Sequence, residues 1–369
     1  MFGWFNVPEA KASAVGRMGG FGGGRPVWAA RDVATLTRTG FTGNPVGFRA
    51  VKLIAEAAAA LPVRMGGAVE HPVLDLVGRP NGAQGGAEFL EALFGQMLLS
   101  GDGYVEAVGG DGLPREMHVL RSDRMSVVPG ADGWPVGYDY AVGGSKHRFH
   151  VEGVSPVCHL RLFHPADDHY GLSPMQAAAS AVEVHDAASR WTKGLLDNAA
   201  RPSGAIVVGG EALTPEQFDR LAAEIEANHQ GSRNAGRPML LEGGLDWKAM
   251  GFSPSDMEFR ETKEAAAREI AMAFGVPPMM LGIPGDATYA NYAEANRAFY
   301  RLTVLPLAGK VWAGLSHWLG AHSGEAVRLS VDLDRVSALS AERDAQWARV
   351  AGAAFLSDAE KRRMLGIDG

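Results

Sequence analysis

Cysteine is nearly absent from this sequence, and so are the marks of several large protein classes. The one cysteine, Cys158, excludes an intramolecular disulfide and a zinc site built on several thiolates. The amino terminus, MFGWFNVPEA, has neither the basic start nor the apolar core of a secretory signal. No apolar run approaches the ~18 residues that a membrane-spanning helix needs. We therefore expect a soluble chain without membrane association.

An excess of basic residues is also lacking. The chain has 35 Lys and Arg against 42 Asp and Glu, a net charge of −7. A protein that grips DNA through many phosphate contacts needs clustered Lys and Arg, so this balance argues against tight DNA binding. It does not exclude a protein through which DNA passes. With 369 residues, 46% of them hydrophobic, the chain is long enough for two or more subdomains.

The first part of the chain reads as an arm followed by mixed structure. Glycine is concentrated in GRMGGFGGGRP, which cannot hold a helix or strand by itself, so we predict a flexible arm over residues 1–40. Asn44 can cap a helix that has Pro45 at its first position. After a second helix, short apolar runs recur at intervals of about ten residues and indicate antiparallel sheet. We predict that residues 41–172 are α+β.

The clearest helix spans residues 173–200. Ser173 is a good cap and Pro174 suits the first helical position. Its apolar residues step by three and four in one narrow stripe, and a second helix over 254–274 has the same spacing. The stripe residues are Ala181, Val184, Ala188, Trp191 and Leu195 in the first helix, and Ala266, Ile270 and Phe274 in the second.

A compact module lies between these two helices, at residues 201–253. It reads as a strand, a helix that opens with a capping box from Thr214 to Gln217, and a hairpin around Gly243-Gly244. Its apolar residues are Phe218, Leu221, Ile225, Leu240, Leu241 and Trp247.

A long connection follows at residues 275–290, GVPPMMLGIPGDATYA. Loops of this length are uncommon in a compact domain and often have a function. The stretch between Phe274 and Tyr292 contains no Lys or Arg. Met279 and Met280 could pack adaptably at an interface that moves.

The remainder of the chain returns to helix. We predict a kink at Pro306, because proline cannot donate the helical hydrogen bond. The run RLSVDLDR is one last strand, and a second capping box from Ser357 to Glu360 opens a final helix.

A patch rich in histidine is the best candidate for chemistry. Imidazole and carboxylate together suit a divalent metal, so a metal-dependent hydrolase is one hypothesis. No HExxH or comparable spacing occurs, and strand alternation separates neighbouring side chains. The serines of GLSPM and GFSPS precede Pro as helix caps rather than as nucleophiles. We therefore expect no catalytic residue, no metal and no cofactor. The patch comprises His147, His150, His159, His164, Asp167, Asp168 and His169.

Five segments in a fixed order suggest a family. They are VCHLR with YGLSP, RPSGAIVVGG with LTPEQFDRL, AGRPMLLEGGLDWKAMGFSPSDMEF, REIAMAFGVPPMMLG, and TYANYAEANRAFYRLTVLPL. Together they make the chain resemble phage portal proteins of the long-tailed-phage type. These head-to-tail connectors form the ring at a capsid vertex through which DNA enters and leaves. The resemblance covers roughly residues 155–320 and is weaker over 44–150.

The resemblance implies an α+β portal fold. The expected parts are an α+β wing at 41–172, a two-helix stem at 173–200 and 254–274, a small α/β clip at 201–253, a tunnel loop at 275–290, a kinked long helix with the closing strand of the wing at 291–335, and a short helical crown at 336–369. The stripe residues above would then pack the stem. The tunnel-loop residues expected to face DNA are Gly282, Ile283, Pro284, Gly285, Asp286, Ala287, Thr288, Tyr289 and Asn291.

The resemblance also implies a function and partners. The chain would not be an enzyme; it would form a homo-oligomeric ring of about twelve subunits closed by rotation. That ring would conduct double-stranded DNA non-specifically during packaging and ejection. It would contact the major capsid protein, the large terminase subunit and a head–tail adaptor, at a virion vertex assembled in the bacterial cytoplasm. A phage, a prophage and a gene transfer agent all remain open as the source. A monomeric adaptor that binds a partner through residues 202–252 is a third hypothesis.

Overall fold

The structure is a computed structural model. It describes residues 32–66, 70–109, 112–197, 204–208, 214–217, 219–220, 223, 245–249, 259–285 and 289–367.

The predicted amino-terminal arm is too long at its carboxyl end. Asp32 caps helix α1 (Val33–Leu36) by accepting a hydrogen bond from the Thr35 N–H at 3.0 Å, and the chain continues as a π-helix through Thr42. Leu36 is buried, and a Cβ on Gly40 would lie 2.1 Å from the sulfur of Met175. Residues 33–40 therefore belong to the packed body: a helix cap and buried contacts hold them, and the glycine-rich run that suggested a flexible arm ends before them. The rest of the predicted arm, residues 1–31, lies outside the described residues.

The next helices follow their predicted caps. The Asn44 side chain accepts hydrogen bonds from the Val46 and Gly47 N–H groups and opens α2. Strand β1 and the short helix α3 lead to α4, which packs along α2. The bounds are α2 (Pro45–Ala59), β1 (Val63–Met65), α3 (Pro72–Gly78) and α4 (Gly86–Ser100).

Six short strands form the antiparallel sheets that the sequence predicts. One three-stranded sheet has the order β3-β2-β7, and its centre pairs Tyr104 with both Leu120 and His159. The other, which we call the outer sheet, has the order β4-β5-β6. The bounds are β2 (Asp102–Val108), β3 (Glu116–Leu120), β4 (Met125–Pro129), β5 (Pro135–Val142), β6 (Ser145–His150) and β7 (Val157–Arg161).

Two long helices then pack side by side. The Ser173 hydroxyl accepts a hydrogen bond from the Gln176 N–H and caps α5, and α6 follows after a break at Ala178. Between α6 and α7 the chain forms an antiparallel strand pair, β8 with β9. The bounds are α5 (Pro174–Ala177), α6 (Ala179–Asp197), β8 (Gly204–Val208), β9 (Leu245–Ala249) and α7 (Phe259–Ala273).

A π-helical segment, Tyr300–Val304, ends two residues before Pro306, where the sequence predicts a kink; the kink itself stays a prediction. Pro306 has no N–H to donate to the carbonyl four residues before it, and the Leu305 N–H bonds to the Tyr300 carbonyl five residues back. The helix therefore widens before the proline. The flanking bounds are α8 (Tyr289–Phe299), α9 (Leu305–Ser323), β10 (Leu329–Val331), α10 (Ser340–Ala351) and α11 (Asp358–Leu365).

Two hydrophobic cores hold these elements. The main core extends from Leu36 to Leu339 and includes the apolar faces of α2, α4, α7 and α9. The second core lies between the two three-stranded sheets and consists of Tyr104, Leu120, Met125, Tyr138, Phe149 and Val157. None of the helices in the described residues combines the length and hydropathy that crossing a bilayer requires.

Candidate functional site

The long connection begins at the end of α7, which a glycine terminates. Gly275 has a φ of 65°, its N–H donates to the Met272 carbonyl at 3.0 Å, and the Val276 N–H donates to the Ala271 carbonyl at 2.9 Å. This is a Schellman motif, which needs a residue with positive φ. The Thr303 hydroxyl donates to the Gly275 carbonyl at 2.6 Å, so the start of the connection is fixed to the π-helical segment.

A second turn of the same kind follows at once. Pro278–Leu281 forms a 3₁₀ turn, which Gly282 ends with a φ of 73°. The Ile283 N–H closes this turn on the Pro278 carbonyl at 3.2 Å. Val276 is buried, and Met280 with Leu281 packs against the main core. Most of residues 275–283 therefore rests on the body, and continuous exposure begins only at Pro284.

The residues predicted to form a tunnel loop differ in exposure. Gly282, Pro284 and Gly285 are exposed, Ile283 is half-buried, and Asn291 is exposed on the first turn of α8. Tyr289 begins the backbone of α8. Asp286, Ala287 and Thr288 lie outside the described residues.

One cation at this site is not evident from the sequence of the loop. The Arg268 guanidinium, on an exposed turn of α7, donates a hydrogen bond to the Pro284 carbonyl. The connection has no Lys or Arg of its own, yet a helix that ends nine residues before Gly282 supplies one. The helical spacing of α7 could have indicated that Arg268 is exposed, because it lies on the helix face opposite Ala266 and Ile270.

The helix pair α6–α7 buries most of its predicted stripe. Ala181 and Ala188 on α6, Ala266 and Ile270 on α7, and Phe274 directly after α7 are buried.

Two α6 positions differ from the predicted stripe. Val184 and Trp191 are 36% and 44% exposed, although Trp191 stacks on Phe259 with ring centroids 5.2 Å apart. His185 takes the buried position beside Val184, because its Nδ1 lies 3.1 Å from the Asn44 side-chain nitrogen. The Leu195 side chain is outside the described residues.

Little of the module at 201–253 is described. Thr214 and Gln217 form the predicted capping box, and Trp247 lies on β9 in register with Ile206 on β8. The other predicted module residues, Phe218, Leu221, Ile225, Leu240 and Leu241, are outside the described residues, as is the predicted hairpin turn.

The histidine patch is dispersed over several structural roles. His159 Nε2 lies 2.8 Å from a buried Asp102 carboxylate oxygen, and its ring stacks on Tyr104 at 4.3 Å. Burial lowers the pKa of His159. His164 Nδ1 accepts a hydrogen bond from the Ala166 N–H. The Asp167 carboxylate accepts from the His169 and Tyr170 N–H groups, which lowers its pKa.

No metal centre emerges from this patch. His147 and His150 are exposed on β6. Across the residues that the structure describes, no three His, Cys, Asp or Glu side chains converge as a ligand set. The patch therefore gives no structural support to the metal-dependent hydrolase hypothesis.

The family of phage portal proteins matches this chain over residues 45–366. An uncharacterized protein of Rickettsia bellii (strain RML369-C) is 40% identical over 335 residues, which is 88% of this chain and 86% of the relative.

Two solved structures are also similar. One is the neck of a native gene transfer agent particle, computed with C12 symmetry: its chain is 67% identical, with a TM-score of 0.71 over 94% of this chain and 96% of that one. The other, an HK97-family phage portal protein from Corynebacterium diphtheriae, is 18% identical with a TM-score of 0.60 over 82% of this chain and 97% of its own. At that identity the likeness concerns the fold.

Proposed function

Since this chain belongs to the phage portal protein family, we propose that it forms a closed ring at one vertex of a particle and conducts double-stranded DNA through that ring. The observation that carries the proposal is the similarity to the chain in the C12-symmetric neck of a gene transfer agent particle. An identity of 67% over 94% of the chain supports the same assembly here. The function is a structural one and requires no catalytic residue.

The parts of the fold support a division of labour within the ring. We propose that the paired helices α6 and α7 form the stem and that the module at 201–253 forms the clip. The body with its two sheets would be the wing, closed by the antiparallel pairing of β10 with β1. The helices α10 and α11 would be the crown. The tunnel loop would be the connection between α7 and α8, with its exposed part starting at Pro284.

The partners follow from this division. We propose that the ring contacts the major capsid protein, that the clip docks the large terminase subunit during packaging and a head–tail adaptor afterwards, and that assembly takes place in the bacterial cytoplasm. DNA would pass without being held tightly, because a net charge of −7 per chain leaves no excess of basic residues for many phosphate contacts.

The ring itself is the first thing to test. We expect the purified chain to assemble into particles with a mass near twelve times 39.0 kDa, and negative-stain imaging to show closed rings with a central channel. A chain co-expressed with its capsid protein should be found at a single vertex of each particle. A chain that is monomeric both alone and inside particles would contradict the proposal and favour the adaptor hypothesis.

A further inference from the structure

We propose that Arg268 is a phosphate-binding residue of the channel, oriented by its hydrogen bond to the Pro284 carbonyl. This inference rests on the proposed function and deepens it, because it names a ligand for the base of the tunnel loop. The ligand is a phosphate of the DNA backbone.

Arg268 lacks the carboxylate partner that its helix could provide. Glu264 is one turn away on α7, but it pairs with Arg260 at 2.9 Å instead. None of the ion pairs between described residues involves Arg268, and its described hydrogen bond is the one to Pro284. Arginine has five N–H donors, so most of those on Arg268 have no acceptor in the described part of the chain.

Gly285 leaves the guanidinium uncovered. A Cβ at this position would lie 3.4 Å from Nη2 and 3.9 Å from Nη1 of Arg268. Any larger residue would therefore cover the guanidinium on that side. Both Gly285 and Arg268 are exposed, so a large anion can reach the guanidinium.

A phosphate oxygen is a better acceptor for Arg268 than the Pro284 carbonyl. A backbone carbonyl is a neutral acceptor, whereas a phosphate oxygen makes a shorter and roughly twice as strong charge-assisted bond, often through two donors of one arginine. A phosphate that reaches Arg268 therefore binds more strongly than the carbonyl does, through the donors that the Pro284 carbonyl leaves unused. One such contact per subunit gives a weak, salt-sensitive hold on DNA.

Salt-dependent DNA binding by purified rings tests this proposal. The probe is a fluorescently labelled DNA duplex titrated over a range of NaCl concentrations. The variants are Arg268→Gln and Arg268→Lys, with Arg260→Gln as the control because it removes an arginine from the same helix. We expect Arg268→Gln to bind DNA several-fold more weakly and to lower the slope of log K against log[NaCl] by about 1 for each phosphate that is no longer bound. Arg268→Lys should restore part of both, and Arg260→Gln should match the wild type.

Hydrogen exchange separates phosphate binding from a purely structural tie. The Ile283 N–H bonds to the Pro278 carbonyl and reports whether the turn beside Pro284 stays formed. Its exchange should be equal in wild-type and Arg268→Gln rings, so that the lower salt slope of the variant reports the lost phosphate contact. If Arg268→Gln has the same salt slope as Arg260→Gln, or if its slope falls only together with faster exchange at Ile283, the inference is wrong while the ring function stands. If the wild-type chain forms no ring with a channel, both proposals fall.

Discussion

The main core of the body and the second core beneath the outer sheet are packed by different chemistry. The largest fully buried side chains of the main core are apolar or nearly so, among them Ile54, Phe94 and Ile270. The second core is built around Tyr104 and Tyr138, and the ring of His159, which pairs with Asp102, lies against both tyrosine rings.

This difference predicts two kinds of sensitivity. Apolar burial does not change with pH, so the main core responds to a reduction in side-chain volume. A buried polar cluster depends on the protonation state of its members, so the second core responds to acid.

The largest expected effect is a cavity in the main core. Ile270→Ala should lower the free energy of unfolding by about 2–5 kcal/mol, because the side chain is fully buried and its removal leaves a cavity. Met272→Ala is the matched control: it lies on the same helix but is 75% exposed, and should change stability by no more than about 0.5 kcal/mol. Denaturant titration measures both. Equal decreases for the two variants would mean that α7 does not pack on the main core.

A smaller effect is expected at His159 and depends on pH. Burial lowers the pKa of His159 below its ordinary value of 6.5 despite the nearby Asp102. As the pH falls, His159 is therefore protonated in the unfolded chain before it is protonated in the folded chain. The stabilisation from neutral His159 is present above pH 6.5 and is lost as the pH falls, at no more than about 1.4 kcal/mol per pH unit. His159→Gln should flatten this part of the stability–pH curve, and His150→Gln, an exposed histidine on β6, should not. If His159→Gln leaves the stability–pH curve unchanged, another group causes the loss of stability in acid and this prediction is wrong.

The smallest effect is expected on the outer sheet itself. Arg148 binds the Asp139 carboxylate through two nitrogens and Lys146 lies 2.8 Å from it, which holds the pKa of Asp139 well below 3.8. This pair stabilises the fold above that value, and the stabilisation is lost as the pH falls below it. Both cations are half exposed, so high salt should weaken the contribution.

The test is the melting temperature of Asp139→Asn near neutral pH. We expect a small fall that shrinks further as NaCl is raised. Glu152→Gln removes one carboxylate from an exposed position close by in sequence and should leave the melting temperature unchanged. A large, salt-independent fall in Asp139→Asn would show that the outer sheet relies on this pair as the main core relies on Ile270.

Local signals in the sequence predicted the elements well. The caps at Asn44, Ser173 and Ser357 are present in the structure, because a capping side chain bonds to a backbone only two or three residues away. The antiparallel strands were predicted for the same reason: turn residues and alternation are local properties.

The features that the sequence could not predict depend on distant partners. His185 is buried in place of Val184 because Asn44, 141 residues earlier, provides a polar partner for its ring. The hydrogen bond from Arg268 to Pro284 joins a helix to a segment of another conformation 16 residues later. Helical periodicity alone could not tell whether Val184 or His185 is the buried residue. The absence of Lys and Arg within the loop did not exclude a cation from a neighbouring helix, which Arg268 provides.

The pairing of β1 with β10 also has a consequence for how the chain folds. Arg64 and Ser330 are in register and hydrogen-bonded although 266 residues separate them, and the main core draws on residues from both ends of that interval. The helices α6 and α7 and the strands β8 and β9 come between β1 and β10 in the sequence. The apolar surface of α2 that packs against α7 and α9 therefore stays exposed on a chain leaving the ribosome until those helices have been synthesised. Such distant contacts slow folding, so the early half of the chain is where a folding helper or rapid ring assembly would matter most.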